Sequence, residues 1–179
     1  MDNINNGTPE QENIITNLIV KNKGTGAGGS QTNANGLQYE KFTDLSTEYE
    51  KTNTLKYKYH SVIKFKNSTH LYVSTNQHNM FKYMDTELDK SIPPAHGCKR
   101  PDECYIDEKN LKIYIIEKKF QQKPGSVCEK IQTTDFKKWQ YKRLFPKYEI
   151  IYIFCLSDWF KKNCKAELEY LHFKNIPVF

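Results

Sequence analysis

Asp102, Glu117 and Lys119 are the residues of this chain whose types and spacing could do chemistry. Asp102 follows Pro101, and Glu117-Lys118-Lys119 closes an apolar run. Two carboxylates can hold a divalent cation, with an amine beside it to act on a water or on developing negative charge. Phosphodiester hydrolysis needs those parts: a nucleophilic water, a cation on the non-bridging oxygens and stabilisation of the leaving 3′-oxygen. Magnesium is a hard cation that prefers carboxylate and carbonyl oxygens plus water. Asp102 and Glu117 are its expected protein ligands, with the main-chain carbonyl of Lys118 as a third. Three roles are open to Lys119: to orient the attacking water, to deprotonate it, or to neutralise the charge growing on phosphorus.

Fourteen residues separate the two carboxylates, so a β-hairpin must bring them together. The stretch from Arg100 to Lys119 reads as one. Asp102 lies near the start of its first strand, Asp107 to Asn110 is rich in turn formers, and Lys112 to Lys119 is β-branched and aromatic. Strand side chains alternate faces, so Glu117 and Lys119 project to one side and Lys118 to the other. A carboxylate directly after Ile115-Ile116 is expensive to bury without a metal or a partner. The competing account is an ordinary surface hairpin with Lys118 and Lys119 in water.

The rest of the chain supplies a frame. Residues 1–35, mostly Asn, Gly, Thr and Gln with an apolar patch at Ile14 to Val20, read as a flexible arm; residues 36–179 read as one domain. Apolar residues at 37, 39, 42 and 45 suit a helix. His60 to Lys66 and Leu71 to Thr75 read as strands, and Asn76 to Leu88 as a helix that Pro93-Pro94 closes off. Ser126 and Glu129 have capping-box spacing and open a helix to about Arg143. Tyr148 to Leu156 reads as a strand buried on both faces, Asp158 to Phe173 as an amphipathic helix, and Ile176 to Phe179 as a short last strand. The expected fold is α/β, a central mixed β-sheet flanked by helices.

The composition, 37% hydrophobic and 13% aromatic over 179 residues, allows one domain with a real core. The net charge of +6 is unevenly placed: residues 1–98 are balanced, and the whole excess lies in residues 99–179 with the hairpin. A local basic excess around acids suits a polyanion such as nucleic acid. A solvated lysine-rich surface would give the same balance. The cysteines at 98, 104, 128, 155 and 164 are odd in number and form no C-x-x-C pair. Cys104, Cys128 and Cys155 fall in expected strand or helix cores, as reduced structural thiols do. Together with the lack of a signal peptide or an apolar run of membrane length, this gives a soluble, cytoplasmic protein as the expectation. Gly24-Thr-Gly26-Ala-Gly-Gly29 matches G-x-G-x-x-G, but no apolar periodicity follows it, so a mobile glycine-rich segment is the better reading. The five histidines show no metal-ligand spacing.

The hairpin with Asp102, Glu117 and Lys119 resembles the active-site core of the PD-(D/E)XK nuclease superfamily, and within it the type II restriction endonucleases. The resemblance covers about residues 36–156. It implies a restriction-endonuclease-like fold, Mg2+ as cofactor with Mn2+ able to substitute, and double-stranded DNA as substrate. It also implies an acidic residue in the first core helix, where Glu40 stands, and a polar helix after the lysine strand, where Gln132 stands. Some branches carry Gln-x-x-x-Tyr there; this chain has Phe136 at the tyrosine position.

The expected activity is therefore site-specific, Mg2+-dependent cleavage of DNA, with Asp102, Glu117, Lys119 and Glu40 as catalytic residues. Lys99 and Arg100, just before Asp102, could clamp the nucleic-acid backbone, or form an ordinary exposed pair. Gln121 continues the alternation of Glu117 and Lys119 and could contact a phosphate or cap its loop. Lys137, Lys138, Lys142 and Arg143 are spread around their helix and read as mostly solvated. A chain this small would act on a two-fold symmetric target as a homodimer, with a cognate DNA methyltransferase as companion. Two rivals stay open: a repair, recombination or junction-resolving nuclease of the same fold, and a nucleic-acid-binding protein without catalysis.

Overall fold

A computed structural model describes residues 30–52, 58–87, 96–124 and 126–179. The chain divides into two compact units, Met1–Asp44 and Leu45–Phe179. In the first, helix α1 spans Ser30–Phe42. It begins inside the stretch whose composition reads as an arm and carries Gly36 within it. Polar residues such as Ser, Asn and Gln differ from good helix formers by only fractions of a kcal/mol each, so a polar composition does not bar a helix. The G-x-G-x-x-G match and the apolar patch at Ile14 to Val20 lie outside the described residues.

The second unit is a six-stranded mixed sheet with helices, an α/β architecture. Its strands are β1 (Tyr49–Lys51), β2 (Ser61–Phe65), β3 (Tyr72–Thr75), β4 (Glu103–Asp107), β5 (Lys112–Lys119) and β6 (Glu149–Leu156). They lie side by side in chain order; β1 to β5 form an antiparallel meander and β6 pairs parallel to β5. The parallel step requires a crossover, supplied by helices α3 (Val127–Gln132) and α4 (Thr134–Leu144). Helix α2 (Gln77–Glu87) precedes β4, and α5 (Trp159–Asn163) and α6 (Lys165–Phe173) follow β6.

Alternation along the strands makes two cores. Cys104, Ile106, Ile113, Ile115, Ile150, Tyr152, Phe154 and Leu156 point to the face that holds the main cluster with residues of α2 to α6. Ile63, Tyr105 and Ile116 form a smaller cluster on the reverse face with half-buried Tyr49, Phe65, Tyr72 and Tyr114. Full burial of Ile113 and Ile115 stabilises β5 by about 1.5–3 kcal/mol each. The hairpin turn is set by Asp107, whose carboxylate accepts from the backbone N–H of Asn110 (3.0 Å) and from its side-chain amide (2.7 Å).

Four expectations are corrected. Strand β1 was not anticipated. The helices expected over 126–143 and 158–173 are each two, meeting at Thr133 and Cys164, and Ser126 makes no side-chain cap bond. Strand β6 buries Ile150, Tyr152, Phe154 and Leu156 fully but leaves Ile151, Ile153 and Cys155 half-buried. Cys128 is not a reduced thiol: it is disulfide-bonded to Cys164, because α3 and the α5–α6 junction bring their Cα atoms to 5.9 Å. Among the described residues, Cys98, Cys104 and Cys155 form no disulfide. The last segment pairs with β6 through a single parallel bridge, Phe154 to Val178. Among the described residues no helix is long and apolar enough to cross a membrane.

Candidate active site

The β4–β5 register pairs Glu103 with Ile116, and one residue further places Asp102 opposite Glu117 at the end of the hairpin. The carboxylate of Asp102 accepts a hydrogen bond from the backbone N–H of Lys118 at 2.7 Å, closing the ladder with a side chain. The Lys119 ammonium then gathers three oxygens around one cationic atom. Its Nζ lies 2.8 Å from Glu117 Oε1, 3.6 Å from Asp102 Oδ2 and 2.9 Å from the carbonyl of Lys118. These are the two carboxylates and the main-chain carbonyl expected to hold a metal. Their donor set of hard oxygens fits magnesium.

Glu117 is 8% exposed and has two further partners that the sequence reading missed. Lys137, on α4, donates to Oε1 at 3.1 Å, and Tyr152, on β6, donates to Oε2 at 3.2 Å. Lys137 was expected in solvent, yet it is 6% exposed. It shares the buried face of α4 with Thr134, Tyr141 and Leu144, at i−3, i+4 and i+7. That spacing is the signal that could have found it: a lysine on the apolar stripe of a helix needs an anion underneath.

The two carboxyls are pushed apart in acidity. Burial raises Glu117, but the ammonium groups of Lys119 and Lys137 outweigh it and hold the carboxyl below its ordinary value. For Asp102 burial wins: the carboxyl is raised, and the Lys119 ammonium and the Lys118 N–H offset this only in part. One site thus holds a firmly ionised carboxylate beside one with a stronger hold on protons. Burial and the Glu117 charge also push the Tyr152 hydroxyl up, so it stays a neutral donor.

Lys118 faces the other way. It is 4% exposed and forms an ion pair with Glu103, which also accepts from the Tyr105 hydroxyl at 2.8 Å. The alternation is as expected, but neither lysine is simply in water. The backbone of Lys118 serves the site while its side chain is anchored on the reverse face.

Lys99 and Arg100 are exposed on the segment leading into Asp102. That segment is pinned on both sides: Tyr141 donates to the Lys99 carbonyl at 3.0 Å, and the Gln77 N–H to the Pro101 carbonyl at 2.9 Å. The Gln121 side chain donates to the Lys123 carbonyl at 2.6 Å, which is the loop-capping role. Gln132 donates to Glu167 on α6 at 3.1 Å and so joins two helices. Glu40 is half-buried on α1 of the N-terminal unit, where its carbonyl accepts from the Thr43 hydroxyl at 3.5 Å. In comparisons with known proteins, no family model, no curated protein and no solved structure matches this chain.

Proposed function

We propose that this chain is a Mg2+-dependent DNA endonuclease of the PD-(D/E)XK kind, cutting duplex DNA at specific sites as a homodimer. The observation that carries the reading is the convergence of Asp102, Glu117 and the Lys118 carbonyl on the Lys119 ammonium. A mixed sheet with its acids on a central hairpin suits a restriction-endonuclease-like core, and the basic excess of residues 99–179 suits a polyanion.

Asp102 and Glu117 would hold the cation, with the Lys118 carbonyl as third donor. A bound divalent cation supplies Lewis acidity for the phosphate oxygens and a lowered pKa for water. Lys137 and Tyr152 fix the Glu117 carboxylate, and Lys137 keeps it ionised. The same oxygens hold the Lys119 ammonium, so a divalent cation and that ammonium compete for them. Lys119 would then be available beside the bound phosphate, to orient a water or to meet the charge growing on phosphorus.

The test is purified protein with Mg2+ on a mapped plasmid, with EDTA as control. Discrete fragments are expected, and Glu117→Ala or Lys119→Ala should abolish cutting while DNA binding persists; full activity in either variant refutes the assignment. A second reading, a repair or junction-resolving nuclease, is favoured by an exposed aromatic pair on α4. Preference for branched over linear substrates would select it.

A further inference from the structure

We propose that one flank of α4 is a stacking surface for unpaired nucleotides, so that the substrate presents a single-stranded segment beside the scissile bond. This rests on the second of the two nuclease readings, a repair or junction-resolving enzyme, and deepens it by naming the substrate class. Phe136 and Trp139 lie on this flank with rings stacked, centroids 5.8 Å apart and planes 28° from parallel. They are 54% and 57% exposed. Aromatics of this size bury roughly 150–250 Å² each when packed, so leaving two in water forgoes much of what they offer a fold.

Helical spacing sets Arg143 on the same flank, four residues beyond Trp139. Arg143 lies near enough to Cys98 to act on its thiol electrostatically. The exposed cations Lys99 and Arg100 follow Cys98 directly and lead into Asp102. Next to Phe136, Lys137 reaches through the opposite side of the helix to Glu117. A single helix of three turns therefore carries both a partner of the candidate metal ligand and the aromatic pair, with cations leading from one to the other.

The chemistry of this flank selects its occupant. Self-association surfaces are depleted of charge at their centres. Here the rings sit beside Arg143, in the half of the chain that holds all of the positive excess. Aromatic rings beside a cation suit a single strand, because every base has a face to stack and every linkage a charge to neutralise. Within a duplex those faces are covered by neighbouring bases, which leaves only a strand with open bases to use the platform.

The test uses the full-length chain in EDTA, so that binding is read without cleavage, with a fluorescein-labelled oligo(dT) of about 20 nucleotides, several times the smallest single-strand site sizes. Wild type should bind it more tightly than the same strand annealed to oligo(dA). Phe136→Ala and Trp139→Ala should each weaken oligo(dT) binding roughly tenfold and leave duplex binding unchanged, while Trp139→Phe retains the preference. Equal losses on both probes, or no loss, overturns the proposal. So does a Trp139→Ala variant that sediments as a monomer where wild type is a dimer, which would assign the flank to a second copy. Glu117→Gln should keep the oligo(dT) preference and lose Mg2+-dependent cutting. A preference with no cutting of any substrate by wild type would sink the nuclease reading alone.

Discussion

Replacing Lys137 by Met tests the least expected part of the site. Methionine fills a similar volume, so the change removes a charge and a hydrogen bond without opening a cavity. A hydrogen bond to a charged group contributes about 1.5–3 kcal/mol, and stranding a buried charge costs more. Glu117 would keep Lys119 at 2.8 Å and Tyr152 at 3.2 Å, which places the expected loss near the lower end, about 2 kcal/mol at neutral pH. The pH dependence carries the sign. Glu117 is held below its ordinary value in the folded protein, so its contribution is present above the unfolded value and lost as pH falls through the folded one. Urea unfolding of both proteins at neutral pH and in acid should therefore show a deficit at pH 7 that shrinks as pH falls through the depressed folded value of Glu117, where the protonated carboxyl leaves wild-type Lys137 without its anion. A double-mutant cycle with Glu117→Gln should return a coupling energy of similar size. A deficit equal at both pH values would mean that Lys137 matters through packing, and no deficit at neutral pH would mean that the contact is not made in solution.

Two further outcomes follow from the geometry. Lys119→Met removes the ammonium that competes for the Asp102 and Glu117 oxygens, so Mg2+ should bind more tightly by calorimetry even as cleavage is lost; weaker binding would count against shared oxygens. In α1, a Cβ added at Gly36 meets nothing within 4 Å, so Gly36→Ala should stabilise the helix by about 0.5–1 kcal/mol. Amide exchange over residues 30–42 should slow about two- to fivefold, and unchanged exchange would place the helix's opening elsewhere.

The hairpin was legible because its signals are local: turn formers over Asp107 to Asn110, then a β-branched run ending in charge. The β4–β5 pairing followed from it. Other features were hidden for physical reasons. Strand β1 is Tyr-Glu-Lys, too short to show alternation. The breaks at Thr133 and Cys164 interrupt helices without interrupting their apolar periodicity, so no composition change marks them. Lys137 disappeared among four cations spread around one helix. It stands out only when Thr134, Tyr141 and Leu144 are recognised as the stripe it shares. The disulfide joins positions 36 residues apart, a contact that follows from how α3 packs on α6 and not from any spacing motif.

That cross-link has a consequence for the protein as a polymer. It ties off a ring of chain that contains α4 with Lys137, β6 with Tyr152, and the whole of α5. In the chain-entropy picture a ring of this size disfavours the unfolded ensemble by about 4 kcal/mol. A protease that nicks the backbone anywhere between the two half-cystines would leave a single covalent molecule, and the severed ends would part only when a thiol reductant was added.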